Sequence, residues 1–381
     1  MTIHLSDPDD MNKAVTNLQR YVESGRAKAA SVIEHVQANV PKDTLAAARA
    51  VSFAPTERGD ILLSLPSREP LALTQHALAQ AAGRVGFPGS TARDVVADYG
   101  RVGADAISYT LSRLWEERAR RDGEDANRRF QSGQIPQPER VLLRSVAGRY
   151  HAVLSDRFRR LDSRPMLDAF TAACSSIGAV PADGTVTDTR ISLRAIVPEV
   201  ITTANDAFVL GASFTNSDFG AGALSVAMFY VRLLCTNGMI GETVQRKAHL
   251  GARLADDITY SEKTYRLDAA AYASAVKDMT TAVLGPEARE AARSAAVRAA
   301  ETTIDLKARL NGLKKSLTKA EIADVTAALQ STDVEEMPMG GPTVYRLANA
   351  IAWTANKVAD GDRRIELQRL AGAELFSEVA A

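Results

Sequence analysis

The chain has 381 residues, 46% hydrophobic and 24% charged, and its 46 Lys and Arg balance its 46 Asp and Glu. That length supports two or three packed units, while zero formal charge excludes a uniformly basic nucleic-acid coat protein but leaves local patches open. Two cysteines, Cys174 and Cys235, exclude a disulfide scaffold and point to a reducing, cytoplasmic setting; with no apolar leader and no apolar run of about 18 residues, no membrane association is expected.

Residues 11–38 read as a helix, with Leu18, Tyr21 and Val22 and then Val32, Ile33 and Val36 at helical spacing, ended by Pro41. Residues 51–65 hold short strand-like pieces. Thr74 is a candidate N-cap for a helix through Gly83. A turn at residues 86–89 precedes a further capped helix. A long helix over 104–130 is apolar through Ile107, Leu111 and Leu114 and then highly charged. Gly133, Pro136 and Pro138 mark a loop.

From Arg140 the pattern turns to β. Strands over 141–146 and 150–154 flank a turn at Gly148, and Pro165 suits the first turn of a helix reaching Ser176. Residues 189–197 alternate, with Ile191, Leu193, Ala195 and Val197 on one face. An apolar hairpin follows, its strands over 208–214 and 223–235 joined by the Asn216-Ser217-Asp218-Phe219-Gly220 turn. Arg232 lies inside its second strand and must be paired or face a ligand. Beyond Gly241 the chain reads as helical. One helix over 269–283 breaks at Gly285-Pro286, another covers 287–310, and a third starts at the capping box Thr318-x-x-Glu321. A loop over 337–342 precedes helices over 343–358 and 363–373. The expected fold is α+β: an antiparallel β-meander with packed helices, and helical N-terminal and C-terminal parts. The expected division is a mainly helical region with short strands over 1–135, an antiparallel β core with a helix over 139–245, and a helical region over 246–381.

Four stretches resemble a widespread family of phage- and plasmid-encoded proteins known as a domain of unknown function. They are Leu73 to Ala81 with Gly86-Phe87-Pro88; Tyr150 to Asp162, including Ser155-Asp156-Arg157-Phe158; Asn216-Ser217-Asp218 with Gly222-Ala223-Leu224, leading to Arg232 and Cys235-Thr236-Asn237-Gly238; and Tyr345 to Ala350 with Leu370-Ala371-Gly372. The resemblance spans residues 50–375. It implies a mobile-element origin near recombination functions and carries no agreed activity. More distantly, the meander with its packed helix is similar to the core of single-strand annealing proteins of the Rad-type and phage recombinase class.

The most suggestive chemistry lies in 139–164. Seven arginines, at 140, 144, 149, 157, 159, 160 and 164, face three acids, Glu139, Asp156 and Asp162, with Tyr150, His151 and Phe158 among them. Guanidinium groups neutralise phosphates and aromatic faces stack on unpaired bases. The plainer alternative pairs Arg157 with Asp156 or Asp162 and leaves the other arginines as a solvated face. At Cys235-Thr236-Asn237-Gly238, exposed backbone N–H groups of a tight turn could hold an anion. A nucleophilic Cys235 would need a base, and none of His4, His35, His76, His151 or His249 is near it in sequence; a buried cysteine closing a core strand is the ordinary alternative. Arg246, Lys247, His249 and Arg253 form a second basic group that either extends a phosphate surface or caps a helix. No metal-ligand spacing and no P-loop occurs, so no metal and no cofactor are expected.

These residues point to a non-catalytic nucleic-acid-binding protein of a phage or plasmid, acting in single-strand annealing or recombination on single-stranded nucleic acid, as a homo-oligomer. Arg149, Arg157, Arg159, Arg160 and Arg164 would hold phosphates, Tyr150 and Phe158 would stack on bases, and Arg232 and Asn237 would shape the groove floor. The alternative is a structural or protein-interaction protein of the mobile element that docks through its C-terminal helices. A third reading is an enzyme dependent on Cys235.

Overall fold

The computed structural model describes residues 8–132, 139–203, 206–233, 238–241, 261–333, 337–338 and 340–377, and among them two separate sheets form in place of one meander. The first contains β1 (Lys42–Ala47), β2 (Ser52–Pro55), β3 (Ile61–Ser64), β4 (Leu71–Leu73), β5 (Arg140–Val146) and β6 (Arg149–Ser155), in the order β1-β5-β6-β4-β3-β2. Its pairs are antiparallel except β4 with β6. The second contains β7 (Val180–Val186), β8 (Ile191–Ile196), β9 (Ile201–Thr203), β10 (Asp206–Asn216), β11 (Ser225–Arg232) and β12 (Gly238–Gly241). Its order is β12-β11-β10-β8-β7, with β9 also on β10. The helices are α1 (Pro8–Ala38), α2 (Gln75–Arg84), α3 (Gly89–Gln131), α4 (Ser163–Ser176), α5 (Glu262–Leu284), α6 (Pro286–Glu301), α7 (Leu306–Gly312), α8 (Lys319–Gln330), α9 (Val344–Lys357) and α10 (Gly361–Phe376). The class is α+β, rich in antiparallel strands and helical at both ends of the described chain.

The first sheet is strongly curled. Its edge strands β1 and β2 are joined only by residues 48–51. Such a link reaches at most about 18 Å, whereas a flat six-stranded sheet would be about 24 Å wide. The concave face holds α2 and α3, with Leu78, Ala81, Ile107, Leu111 and Trp115 packed against Leu63, Val141, Leu143 and Val153. Thr74 caps α2 as its sequence suggests, accepting from Ala77 N at 3.2 Å. α3 starts earlier than the expected 104–130 helix because the chain stays helical on both sides of a kink at Gly100, whose φ of 53° suits glycine.

The second sheet is covered on both faces. Phe208, Leu210, Ala212 and Phe214 of β10 point into a core shared with α4, α5, α6, α8, α9 and α10, while Ala207 and Val209 meet Ala14 and Leu18 of α1 and Ile365 of α10. Every position of β10 is buried, which accounts for its nearly continuous apolar run.

The units therefore differ from the expected 1–135, 139–245 and 246–381. α1 packs on β7 and β8 of the second sheet. β5 and β6 complete the first sheet by pairing with β1 and β4. Residues 42–155 thus form a unit inserted between α1 and the remainder of the second. β7 escapes a pattern search because Pro181 and Asp183-Gly184 break its alternation. The helix expected over 287–310 stops at Glu301, where Thr303 bridges to Thr343 and Ile304 N donates to Pro342 O at 2.8 Å.

The capping box at α8 forms. Thr318 N donates to Glu321 Oε2 at 2.7 Å and Glu321 N donates to Thr318 Oγ1 at 3.2 Å. Glu321 also receives Arg363 of α10 through Nε and Nη2 at 2.8 and 2.7 Å, which holds its carboxyl at about 2. Thr318→Ala is expected to lower folding stability by about 1 kcal/mol, measured by urea denaturation; no change would show that α8 is held by packing alone.

Candidate functional site at the seam of the two sheets

Residues 217–224, joining β10 to β11, lie against the convex face of the first sheet. Phe219 joins Leu142, Ala152, Leu154 and Phe158 in a small apolar cluster. The Phe219 carbonyl lies 3.0 Å from His76 Nε2 and accepts from Gln80 Nε2 at 2.8 Å, while Gln80 Oε1 accepts from Val153 N at 2.9 Å. Stretches that are distant in sequence, 73–81, 150–162 and 216–224, therefore converge on one connection.

Arg144 ties this seam together. Its side chain is 1% exposed. It donates through Nε to Asp43 at 2.8 Å, through Nη2 to Asp162 at 2.5 Å and through Nη1 to the Asp218 carbonyl at 2.8 Å. Burial disfavours its charge, but Asp162 and Asp43 outweigh that and hold its pKa above the ordinary arginine value. Next to it, Asp218 Oδ1 accepts from Ser163 N at 2.7 Å, Ser163 Oγ at 2.6 Å and Asn216 Nδ2 at 3.3 Å. Burial and nearby Asp162 push the Asp218 carboxyl up to about 6, although the Ser163 donors act the other way.

A cavity of about 250 Å³ opens beside this network. Its walls come from the end of α1 (His35, Asn39), the β5–β6 turn (Ala147), β6 (His151), the β7–β8 turn (Asp188) and the start of the β10–β11 connection (Asp218). The β5–β6 turn has φ of 47° at Ala147 and 76° at Gly148, the pattern of a two-residue hairpin turn with both central residues at positive φ. Ala147 adopts that conformation without the freedom of glycine, so the cavity rim carries local strain. His151 stacks on Phe219 with ring centroids 4.9 Å apart. Burial lowers the pKa of both His35 and His151, leaving these rings neutral near pH 7.

The arginines expected to line one groove mostly serve internal pairs. Arg159 donates to Asp268 through Nε and Nη2, both at 2.8 Å, and lies 4.6 Å over the Tyr272 ring. Arg160 reaches Asp43 at 3.2 Å and Glu262 at 3.1 Å, with its guanidinium 4.4 Å over Tyr265. Both thereby fasten α5 to the segment after β6. Arg157 is half-buried and engaged, its backbone N donating to Ser155 Oγ at 3.2 Å. Arg149 keeps 47% of its side chain exposed while donating to Asp60 at 3.0 Å, and Arg164 is exposed at the start of α4.

Three roles need correction. Tyr150 is 3% exposed within the core under α2, so its ring has no free face for a base. Phe158 is half-buried against Leu154 with the Arg144 guanidinium 5.9 Å from its centroid, so it shields the ion network. Arg232 is fully buried, donating to Asp206 at 2.5 Å, and forms no groove floor. Asn237 and Cys235 lie outside the described residues, as do Arg246, Lys247, His249 and Arg253. Cys174 is buried in the core, and burial pushes its thiol up to about 12, an inert environment.

The sequence reading counted Arg144 among seven arginines without giving it a role of its own, and it missed His35 as a site residue and the cavity. Arg144 carried the same signal that singled out Arg232, a guanidinium inside an apolar strand run. His35 and His151 come to one cavity only because α1 packs on β7 and β8 of the second sheet while His151 belongs to the first, and nothing local announces that. Among the described residues no helix is long and apolar enough to cross a membrane. Comparison of the chain with protein-family models, with curated proteins and with solved structures finds no match.

Proposed function

We propose that the protein binds single-stranded nucleic acid along the seam cleft without catalysing a reaction on it. The observation that carries this reading is the cavity itself. It is lined by the flat rings of His35, His151 and Phe219, exposed Arg164 directly follows Ser163 of its wall, and exposed Arg149 lies two residues from both Ala147 and His151. An unstacked base needs ring faces inside and cations outside for the flanking phosphates. The phosphate-binding set is accordingly narrower than the arginine count suggests, because Arg159 and Arg160 are largely buried on carboxylates, whereas Arg149 stays half exposed beside Asp60. The family resemblance supplies a context, a strand-annealing or recombination step of a phage or plasmid. Annealing calls for many subunits along a strand. Tyr99, Val102 and Tyr109, all exposed on α3, offer apolar surface for such self-association.

The test is fluorescence anisotropy with a labelled single-stranded oligonucleotide at two salt concentrations. If two phosphates are neutralised, a fourfold rise in salt should weaken binding about sevenfold. Arg149→Ala combined with Arg164→Ala should weaken binding at low salt and flatten that dependence. Absence of binding at low salt, or binding indifferent to salt, would remove the proposal.

A further inference from the structure

Most side-chain donors around the seam cavity are engaged, while carboxylate acceptors remain free. The Asn39 amide is spent on the His35 carbonyl at 2.9 Å, and the Asn216 amide on Leu161 O at 2.8 Å and Ser163 Oγ at 3.0 Å. The Thr189 hydroxyl donates to Asp362 at 2.7 Å, and Arg190 Nε donates to Ala221 O at 2.9 Å. Against these, His151 Nδ1 is buried with no partner. A neutral imidazole keeps one ring nitrogen as an acceptor, and an occupant that brings N–H groups can satisfy it. Among the described residues Asp218 Oδ2 receives no donor, since Ser163 and Asn216 all bond Oδ1. The carboxylate of Asp188 stands at the open side.

A buried acceptor without a donor is costly, so an occupant that brings N–H groups is favoured. The carboxylates disfavour a phosphate inside. The stacked rings of His151 and Phe219 favour a planar occupant. The volume, about 250 Å³, compares with the roughly 10–15 Å³ needed by one water.

We infer that the cavity takes one unstacked guanine base and rejects uracil and thymine. The choice of a base among planar, donor-rich ligands rests on the strand-binding reading above. Guanine presents adjacent N1–H and 2-amino donors, a pair that one carboxylate can accept together. Uracil presents a single N–H between two carbonyls, which would face the free carboxylate oxygens of Asp188 and Asp218. Hypoxanthine keeps N1–H but lacks the amino group.

Calorimetric titration of the full chain with GMP, IMP and UMP tests the assignment. GMP should bind, IMP should bind roughly tenfold or more weakly, and UMP more weakly still. Asp188→Asn removes an exposed carboxylate, and His151→Phe keeps a ring while deleting the unpartnered buried nitrogen. Both should retain the parent unfolding midpoint while weakening GMP and narrowing its advantage over IMP. Equal binding of the three nucleotides, no binding of any up to about 10 mM, or tighter binding of spermidine than of GMP would overturn the assignment. The oligonucleotide titration separates the two claims. Salt-dependent strand binding with no discrimination among nucleotides removes the guanine site and leaves the strand reading. Discrimination for GMP with no strand binding does the reverse.

Discussion

Replacing Arg232 by alanine is expected to lower folding stability by about 3–5 kcal/mol, seen as a large fall in the urea midpoint. Arg232 is 0% exposed and its partner Asp206 3% exposed, with Nε and Oδ2 2.5 Å apart. Asp206 also accepts from the Tyr345 hydroxyl at 2.9 Å, and that hydroxyl lies 2.6 Å from Tyr230. Burial, then the charge on Asp206, keeps Tyr345 protonated far above its ordinary range, so it remains a donor. Truncating the guanidinium strands a carboxylate in the core between β10, β11 and α9. Tyr345→Phe removes one donor but leaves the ion pair, and should cost only about 1–2 kcal/mol. If Arg232→Ala shifts the midpoint no further than Tyr345→Phe, the pair does not hold these elements. Loss of strand binding at undiminished stability would instead restore Arg232 to a groove.

The second large effect is expected at Arg144. Arg144→Ala leaves Asp162 without its cation, leaves Asp43 to Arg160 alone and strips the Asp218 carbonyl of its donor, a loss of about 3 kcal/mol. Its consequence should also be local, because the three acceptors come from β1, from the residue capping α4 and from the β10–β11 connection. Hydrogen exchange at residues 217–224 should accelerate ahead of the strands beneath it. Arg144→Lys should recover little, since one ammonium cannot aim donors in three fixed directions as the planar guanidinium does. An unchanged midpoint together with unchanged exchange at 217–224 would show that the seam is held by the Phe219 cluster alone.

Local features were legible where the chemistry is local. The Thr74 cap, the Gly148 turn, the capping box at Thr318 and the break at Gly285-Pro286 all follow from a few adjacent residues, and each occurs where its pattern lies. The burial of Arg232 followed from its apolar neighbours. What was not legible depends on pairing across long separations. β5 reads as a strand from its own sequence, but nothing in Val141 to Val146 says that its partner is Lys42–Ala47 rather than the later hairpin. The excess of arginines over 139–164 was real, but the acids that neutralise it, Asp43, Asp60, Glu262 and Asp268, lie outside that window. A charge count over a window cannot register partners about a hundred residues away.

The position of the β5–β6 hairpin also dictates an order of events during synthesis. In the first sheet it sits between β1 and β4, so the strands made first cannot close on one another. Until residue 155 has left the ribosome, the curled sheet lacks two of its four inner strands. β1 then has no partner, and β4 is paired on one side only. α1, made earlier still, waits for β7 and β8, which arrive more than a hundred residues later. A nascent chain halted near residue 135 should therefore be sensitive to protease throughout, and one released beyond residue 160 should protect the 42–155 unit first.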